Sequence, residues 1–228
     1  MDTPTPESRL PALPVRFLQV FVSPGRLTES LALNPAWAAA LVAGAVLMVA
    51  QTILIPAEVW ETVFREAALQ RGNEIPEGFS MNGNTMRLIG TISGGIMYFI
   101  MALLFSGIVT GIFVFLMGDE GRFKQYLAMY AHALLIPGVV GLLLVPLRIA
   151  QADPRITLNL GTFLFFLPDG FLLRWATMMD LTQIWAWVVV AVGANAIAPQ
   201  RGVTGAAVVL IGVGAAFAML LAVLQPGG

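Results

Sequence analysis

Leu88–Met117 reads LIGTISGGIMYFIMALLFSGIVTGIFVFLM, 30 residues without an Asp, Glu, Lys or Arg. A bilayer core of about 30 Å is crossed by about 20 apolar residues of helix. Backbone N–H and C=O groups find no water there, so a run of this kind spans as a helix. It exceeds one perpendicular crossing, which predicts a tilt or an extension beyond the bilayer. On its C-terminal side, Gly118-Asp-Glu-Gly-Arg-Phe-Lys124 is a short polar turn. The apolar run Gln125–Leu147 that follows is therefore an antiparallel neighbour. Pro137 and Pro146 lie inside this second run and predict breaks, since proline removes a helical donor and crowds the preceding turn.

Further out, Leu181–Ala198 and Val203–Leu224 are joined by Pro199-Gln-Arg-Gly202 and read as a helical hairpin. Ala36–Ile55 is the N-terminal counterpart. The expected fold is all-α and integral to the membrane. It has five transmembrane helices, over about 36–55, 88–117, 125–147, 181–198 and 203–224, with short interfacial helices between. Residues 1–14 read as an uncleaved, disordered tail and 15–225 as a single membrane domain. Val15–Val22 and Leu27–Leu33 are too short to cross and are expected at the interface. Asn34 and Pro35 suit the N-cap and first position of the first membrane helix. Ala57–Arg71 is expected to lie on the surface, with Glu61 and Arg65 one turn apart. Arg71–Arg87 has the composition of a solvent-exposed loop. Ile156–Leu167 is apolar but short, and is expected as a re-entrant or interface-lying element.

Composition narrows the function. Hydrophobic residues make up 58% and charged residues 11%, with a net charge of −1. No basic block is available to follow a phosphate backbone, so nucleic acid is not an expected partner. The chain has no cysteine and one histidine, His132. Disulfides, thiolate metal sites and multi-histidine metal sites are therefore excluded within one chain. Neither a phosphate loop, a Ser-His-Asp set nor a carboxylate pair is present, and no cofactor is implied. The reading is of a protein that is not an enzyme.

Three polar groups fall at or within spans. Asp180 precedes Leu181-Thr-Gln183, the pattern of an N-cap with Gln183 as its reciprocating partner. His132 and Asn195 lie inside spans, where polar residues mark either helix–helix hydrogen bonds or a functional path. For His132 a neutral, hydrogen-bonded packing role is favoured, since no carboxylate lies one turn away. Gly90 with Gly94, and Gly107 with Gly111, are small-residue pairs one turn apart. They predict close approach of another helix, within the bundle or in a dimer. The charge rule for orientation is silent: six basic residues fall on each side of five crossings.

Phe21-Val-Ser-Pro-Gly-Arg-Leu-Thr-Glu-Ser-Leu31 followed by Asn34-Pro-Ala-Trp37 resembles the start of the Yip family's membrane region. So does the turn at Gly118 with its Phe123 and Ala/Tyr run ending at Pro137, and so does Asp180-Leu-Thr-Gln-Ile-Trp185. The resemblance covers roughly Val15 to Leu224. It implies five helices with a cytoplasmic N-terminus, and a non-enzymatic role in membrane organisation or as a membrane scaffold. Eukaryotic Yip proteins interact with Rab GTPases of Golgi and endoplasmic reticulum membranes. Here only about 20 residues precede Ser23-Pro24-Gly25, in place of their long cytoplasmic region, which argues against a Rab partner. The Ala/Gly/Val/Leu-rich composition suggests a bacterial inner-membrane member. Expected partners are membrane lipids, other membrane proteins or the chain itself. The alternatives are a small permease or channel using His132, Asn195 and 156–167, and an accessory subunit of a larger membrane complex.

Overall fold

A computed structural model describes residues 10–70 and 82–224. Residues 1–9 of the expected tail, 71–81 of the expected loop and 225–228 lie outside this range. The described residues are helical apart from turns and one isolated backbone bridge.

Helices α1 (Leu13–Val22) and α2 (Pro24–Leu33) precede α3 (Ala38–Leu54) and α4 (Ala57–Gln70). Then come α5 (Gly83–Thr110), α6 (Phe123–Ala133), α7 (Leu135–Leu143) and α8 (Val145–Ala150). Last are α9 (Phe171–Met178), α10 (Leu181–Ile197) and α11 (Val203–Leu224). Three stretches are long and apolar enough to cross a bilayer: Gly83–Leu116, Phe123–Leu143 and Val203–Leu224. Helices α3 and α10 are apolar but have 17 residues each, or about 26 Å. At Ile55-Pro56 the chain turns by 87° from α3 into α4. This is the bend that proline and the end of the apolar run impose together.

The Leu88–Met117 run ends differently from a plain α-helix. Gly111–Leu116 continues α5 as a π-helix, and the Asp119 amide donates back to the Phe113 carbonyl at 2.9 Å. Gly118 then takes φ +76°, a conformation in which a Cβ would be strained. The Gln125–Leu147 run is in three pieces, α6, α7 and α8, with breaks at Leu134 and Leu144. Each break falls two or three residues before a proline, as the missing donors of Pro137 and Pro146 require.

Three expected boundaries are corrected: Leu13 and Pro14 of the expected tail open α1, α5 starts at Gly83 within the expected 71–87 loop, and the start of α3 moves. Asn34 does not cap α3. It closes α2, its amide donating to the Ser30 carbonyl at 2.9 Å, and α3 begins only at Ala38. The intervening Ala36 carbonyl accepts from the Arg16 guanidinium instead, at 3.2 Å. Helices α1 and α2 also pack on the bundle. Helix α2 lies along α10, with Leu27, Thr28 and Leu31 fully buried, and α1 packs on α6 and α7 through Arg16 and Val20.

The core forms where α6 meets α3, α5 and α10. Tyr126, Phe113, Met129, Val189 and Val190 are fully buried there. By contrast, Ile89, Ile92, Ile96 and Ile100 of α5 and Val208, Phe217 and Leu220 of α11 are exposed. A soluble protein would hide such residues; here they form the face toward lipid acyl chains.

Candidate functional site

Asp180 opens α10, and its surroundings explain why it sits there. Leu158 and Leu160 pair with the chain on either side of Asp180: the Leu181 amide donates to the Leu158 carbonyl at 2.8 Å, and the Leu160 amide to the Met179 carbonyl at 3.0 Å. This antiparallel bridge between Asn159 and Asp180 pins the 156–167 segment to the helix start. Within it, Leu160–Phe163 forms one 3-10 turn capped by the Asn159 side chain. Asp180 Oδ1 accepts from the Thr182 amide at 2.7 Å, the Gln183 amide at 3.2 Å and the Thr182 hydroxyl at 2.5 Å. Three donors therefore converge on one oxygen. Gln183 does not reciprocate as a capping-box partner: the Asp180 amide donates to the Met178 carbonyl, and Gln183 Nε2 is buried without a hydrogen bond.

Facing Asp180 is Arg148, on the last turn of α8 and only 9% exposed. Its Nε donates to the Ile156 carbonyl at 2.9 Å, and its Nη1 to Gln51 Oε1 at 3.0 Å. Gln51 in turn donates to the Gly138 carbonyl at 3.0 Å. Its amide rests where a Cβ at position 141 would stand, so Gly141 is required for this approach. Burial lowers the pKa of Arg148, and the carboxylates of Asp180 and Asp153 raise it in opposition. A cavity of about 200 Å³ opens between these groups, lined among others by Pro137, Gly141, Leu144, Arg148, Thr157 and Asp180.

Asp180 also borders a second hollow. An apolar groove of about 370 Å³ runs between α5 on one side and α10 and α11 on the other. Leu104, Ile108, Val213 and Phe217 form its walls, and Tyr130, Gln183 and Asp180 supply its polar surface.

At the opposite end of the bundle the polar groups are closed in. Arg201 donates to a carboxylate oxygen of Asp119 and to the Met117 carbonyl. Tyr126 reaches the other Asp119 oxygen at 3.4 Å. The Asp119 side chain is fully buried, and Tyr126 stacks on Phe113 at 5.7 Å. Beside this cluster, Gln125 accepts from the Arg122 amide and donates to the Ala32 carbonyl.

His132 is fully buried. Its Nε2 lies 3.1 Å from Arg16 Nη1, and its Nδ1 lies 2.7 Å from the Ala128 carbonyl. A guanidinium only donates, so Nε2 accepts and Nδ1 carries the proton: the ring is neutral. Asn195 is half-buried and its side chain has no hydrogen bond among the described residues. His132 and Asn195 line neither hollow.

Of the four glycines, only Gly94 meets another helix, with Met48 3.3 Å from the position of its Cβ. Among the described residues nothing lies within 4 Å at Gly90, Gly107 or Gly111. Close helix contacts fall instead at Gly44 against Tyr98, Gly193 against Met129 and Gly214 against Trp187. Among the described residues, no three of His, Asp and Glu gather where a metal could be held.

The sequence reading passed over Arg148, Arg16 and the Asp119–Arg201 pair. The last had a signal: in a five-crossing order the Gly118 and Pro199 turns share one side, and the first carries Asp119 and Glu120 where the second carries Arg201.

The model of the Yip1 domain matches residues 18–224. The chain belongs to the Yip1 domain family. Neither a curated protein nor a solved structure matches it. For this Yip1 domain protein, three features seen in the structure lie where the resemblance drew attention: the π-helical approach to Gly118, the α6–α7 break before Pro137 and the Asp180 cap.

Proposed function

We propose that this Yip1 domain protein crosses the membrane five times and acts without catalysis, through helix and lipid contacts. In this reading α3 and α10 complete the five crossings, the N-terminus is cytoplasmic and the host membrane is a bacterial inner membrane. The chain then works as an organiser or scaffold that holds lipids, other membrane proteins or a second copy of itself. Support for the two short crossings comes from their apolar sequences and from the polar groups at both ends. The orientation and the host membrane rest on family resemblance and composition.

The observation that carries the functional reading is the groove between α5 and α11. Lateral hollows with apolar walls and few polar groups suit ligands that arrive from the bilayer. The test is purification in mild detergent, followed by native mass spectrometry of the intact particle and identification of co-purifying lipids and proteins. Bound phospholipid, a partner protein or a dimer is the expected result. A bare, monodisperse monomer that also hydrolyses or modifies a lipid would contradict it.

A further inference from the structure

Asp180 and Arg148 face the same cavity with opposite charges, yet they do not form an ion pair. Among the described residues, each has one atom left over. All three donors to Asp180 converge on Oδ1, and Oδ2 has no hydrogen bond. Arg148 uses Nε and Nη1, and Nη2 has none. Neither leftover atom belongs to the buried polar atoms that lack partners, and both residues line the cavity. A site that kept these charges only for stability would have brought them together, since a buried charge costs heavily unless paired. The walls instead offer a cation and an anion to something between them.

We infer that the Arg148–Asp180 cavity binds a zwitterionic head group, with an anionic phosphate or carboxylate oxygen on Arg148 Nη2 and a primary ammonium on Asp180 Oδ2. Helix α10 begins at this carboxylate and presents roughly half a positive charge there. The full negative charge of Asp180 exceeds it, so the local field still favours an ammonium. Two sources carry this chemistry: an aminophospholipid of the surrounding leaflet, and a soluble amino-phosphate or amino acid. The structure favours the lipid. Leu143 and Leu147, next to cavity residues Leu144 and Arg148, are 73% and 45% exposed. Asp180 also borders the apolar groove, where an acyl chain would lie. The inference rests on the reading that this chain holds lipids, and adds which head group it selects.

The test uses the full chain in detergent, stripped of lipid and offered an equimolar mixture of phosphatidylethanolamine, phosphatidylcholine and phosphatidylglycerol. Native mass spectrometry reads which lipid stays. A second arm reads the thermal shift produced by soluble O-phosphoethanolamine. The informative variant is Asp180→Asn, because the amide oxygen still caps α10 and only the free acceptor is lost. Wild type should retain phosphatidylethanolamine about tenfold over the other two, the effect of one charge-assisted hydrogen bond. Asp180→Asn should remove that preference while keeping the melting temperature. Arg148→Gln should lower retention of every phospholipid. A thermal shift with O-phosphoethanolamine that disappears in Asp180→Asn, without lipid retention, would support the site and assign it to a soluble ligand. Equal retention of all three lipids by wild type, or a preference unchanged in Asp180→Asn, would overturn the inference. Equal retention would leave the lipid-holding reading standing. Absence of any retained lipid, with no thermal shift, would remove both.

Discussion

The two ends of this bundle handle charge in opposite ways. At the end formed by α1, α2 and the Gly118 and Pro199 turns, Asp119 is sealed beneath Arg201 and Tyr126, and Arg16 Nη1 donates to His132 and the Ala36 carbonyl, with the Nε atoms of Arg16 and Arg201 buried without a hydrogen bond among the described residues. At the other end, Arg148 and Asp180 share a cavity and leave an oxygen and a nitrogen unused. Desolvated charges that meet their partners hold helices together. Charges kept apart across a hollow cost stability, and the cost makes sense if something else fills the gap. The closed end is architecture and the open end is recognition.

The sharpest way to break that contrast is at Asp119. Asp119→Ala leaves Arg201 without its carboxylate in a buried setting, and should cost about 3–5 kcal/mol. The loss would be read as a fall in thermal stability in detergent. Adding Arg201→Gln should recover part of it, because the stranded charge is then gone.

Next in size is His132→Leu, which removes the acceptor for Arg16. An unsatisfied buried donor costs about 1–3 kcal/mol, so melting should fall with no change in lipid selectivity. If His132 were instead part of a transport path, solute flux in vesicles would disappear while stability held.

Helix α5 offers a comparison within a single helix. Gly94→Ile must displace Met48 and should cost about 1–3 kcal/mol. Gly107→Ile meets nothing and should leave monomer stability unchanged. Loss of a dimer in Gly107→Ile alone, by native mass spectrometry, would assign that face to self-association.

The smallest effect belongs to the open end. Asp180→Ala removes the cap and should cost about 1 kcal/mol, whereas Asp180→Ser should keep most of the stability.

What the sequence disclosed was local. The uncharged run at Leu88, the breaks before Pro137 and Pro146 and the cap at Asp180 each depend on residues within a turn or two. The pairs that define the two ends join residues far apart: Arg16 with His132 across 116 positions, Gln51 with Arg148 across 97 and Asp119 with Arg201 across 82. No periodicity connects such residues, and an arginine in a turn looks the same whether solvated or buried. The misplaced start of α3 has the same origin. Asn34-Pro35 has good capping chemistry, but Arg16 claims the Ala36 carbonyl from a different helix. Glycine spacing is local in the same way. Gly107 and Gly111 carry the expected small-residue pattern, but which way a helix face points depends on where its neighbours pack.

The contrast between the two ends requires that they lie on opposite sides of the membrane, and the absence of cysteine makes that directly measurable. Single cysteines at Glu29, Gln151 and Gln200, all exposed, are offered a membrane-impermeant thiol reagent on intact cells and again after permeabilisation. Five crossings with a cytoplasmic N-terminus predict labelling of Gln151→Cys on intact cells, and of Glu29→Cys and Gln200→Cys only after permeabilisation. Labelling of all three from the same side, or of Gln200→Cys together with Gln151→Cys, would contradict it.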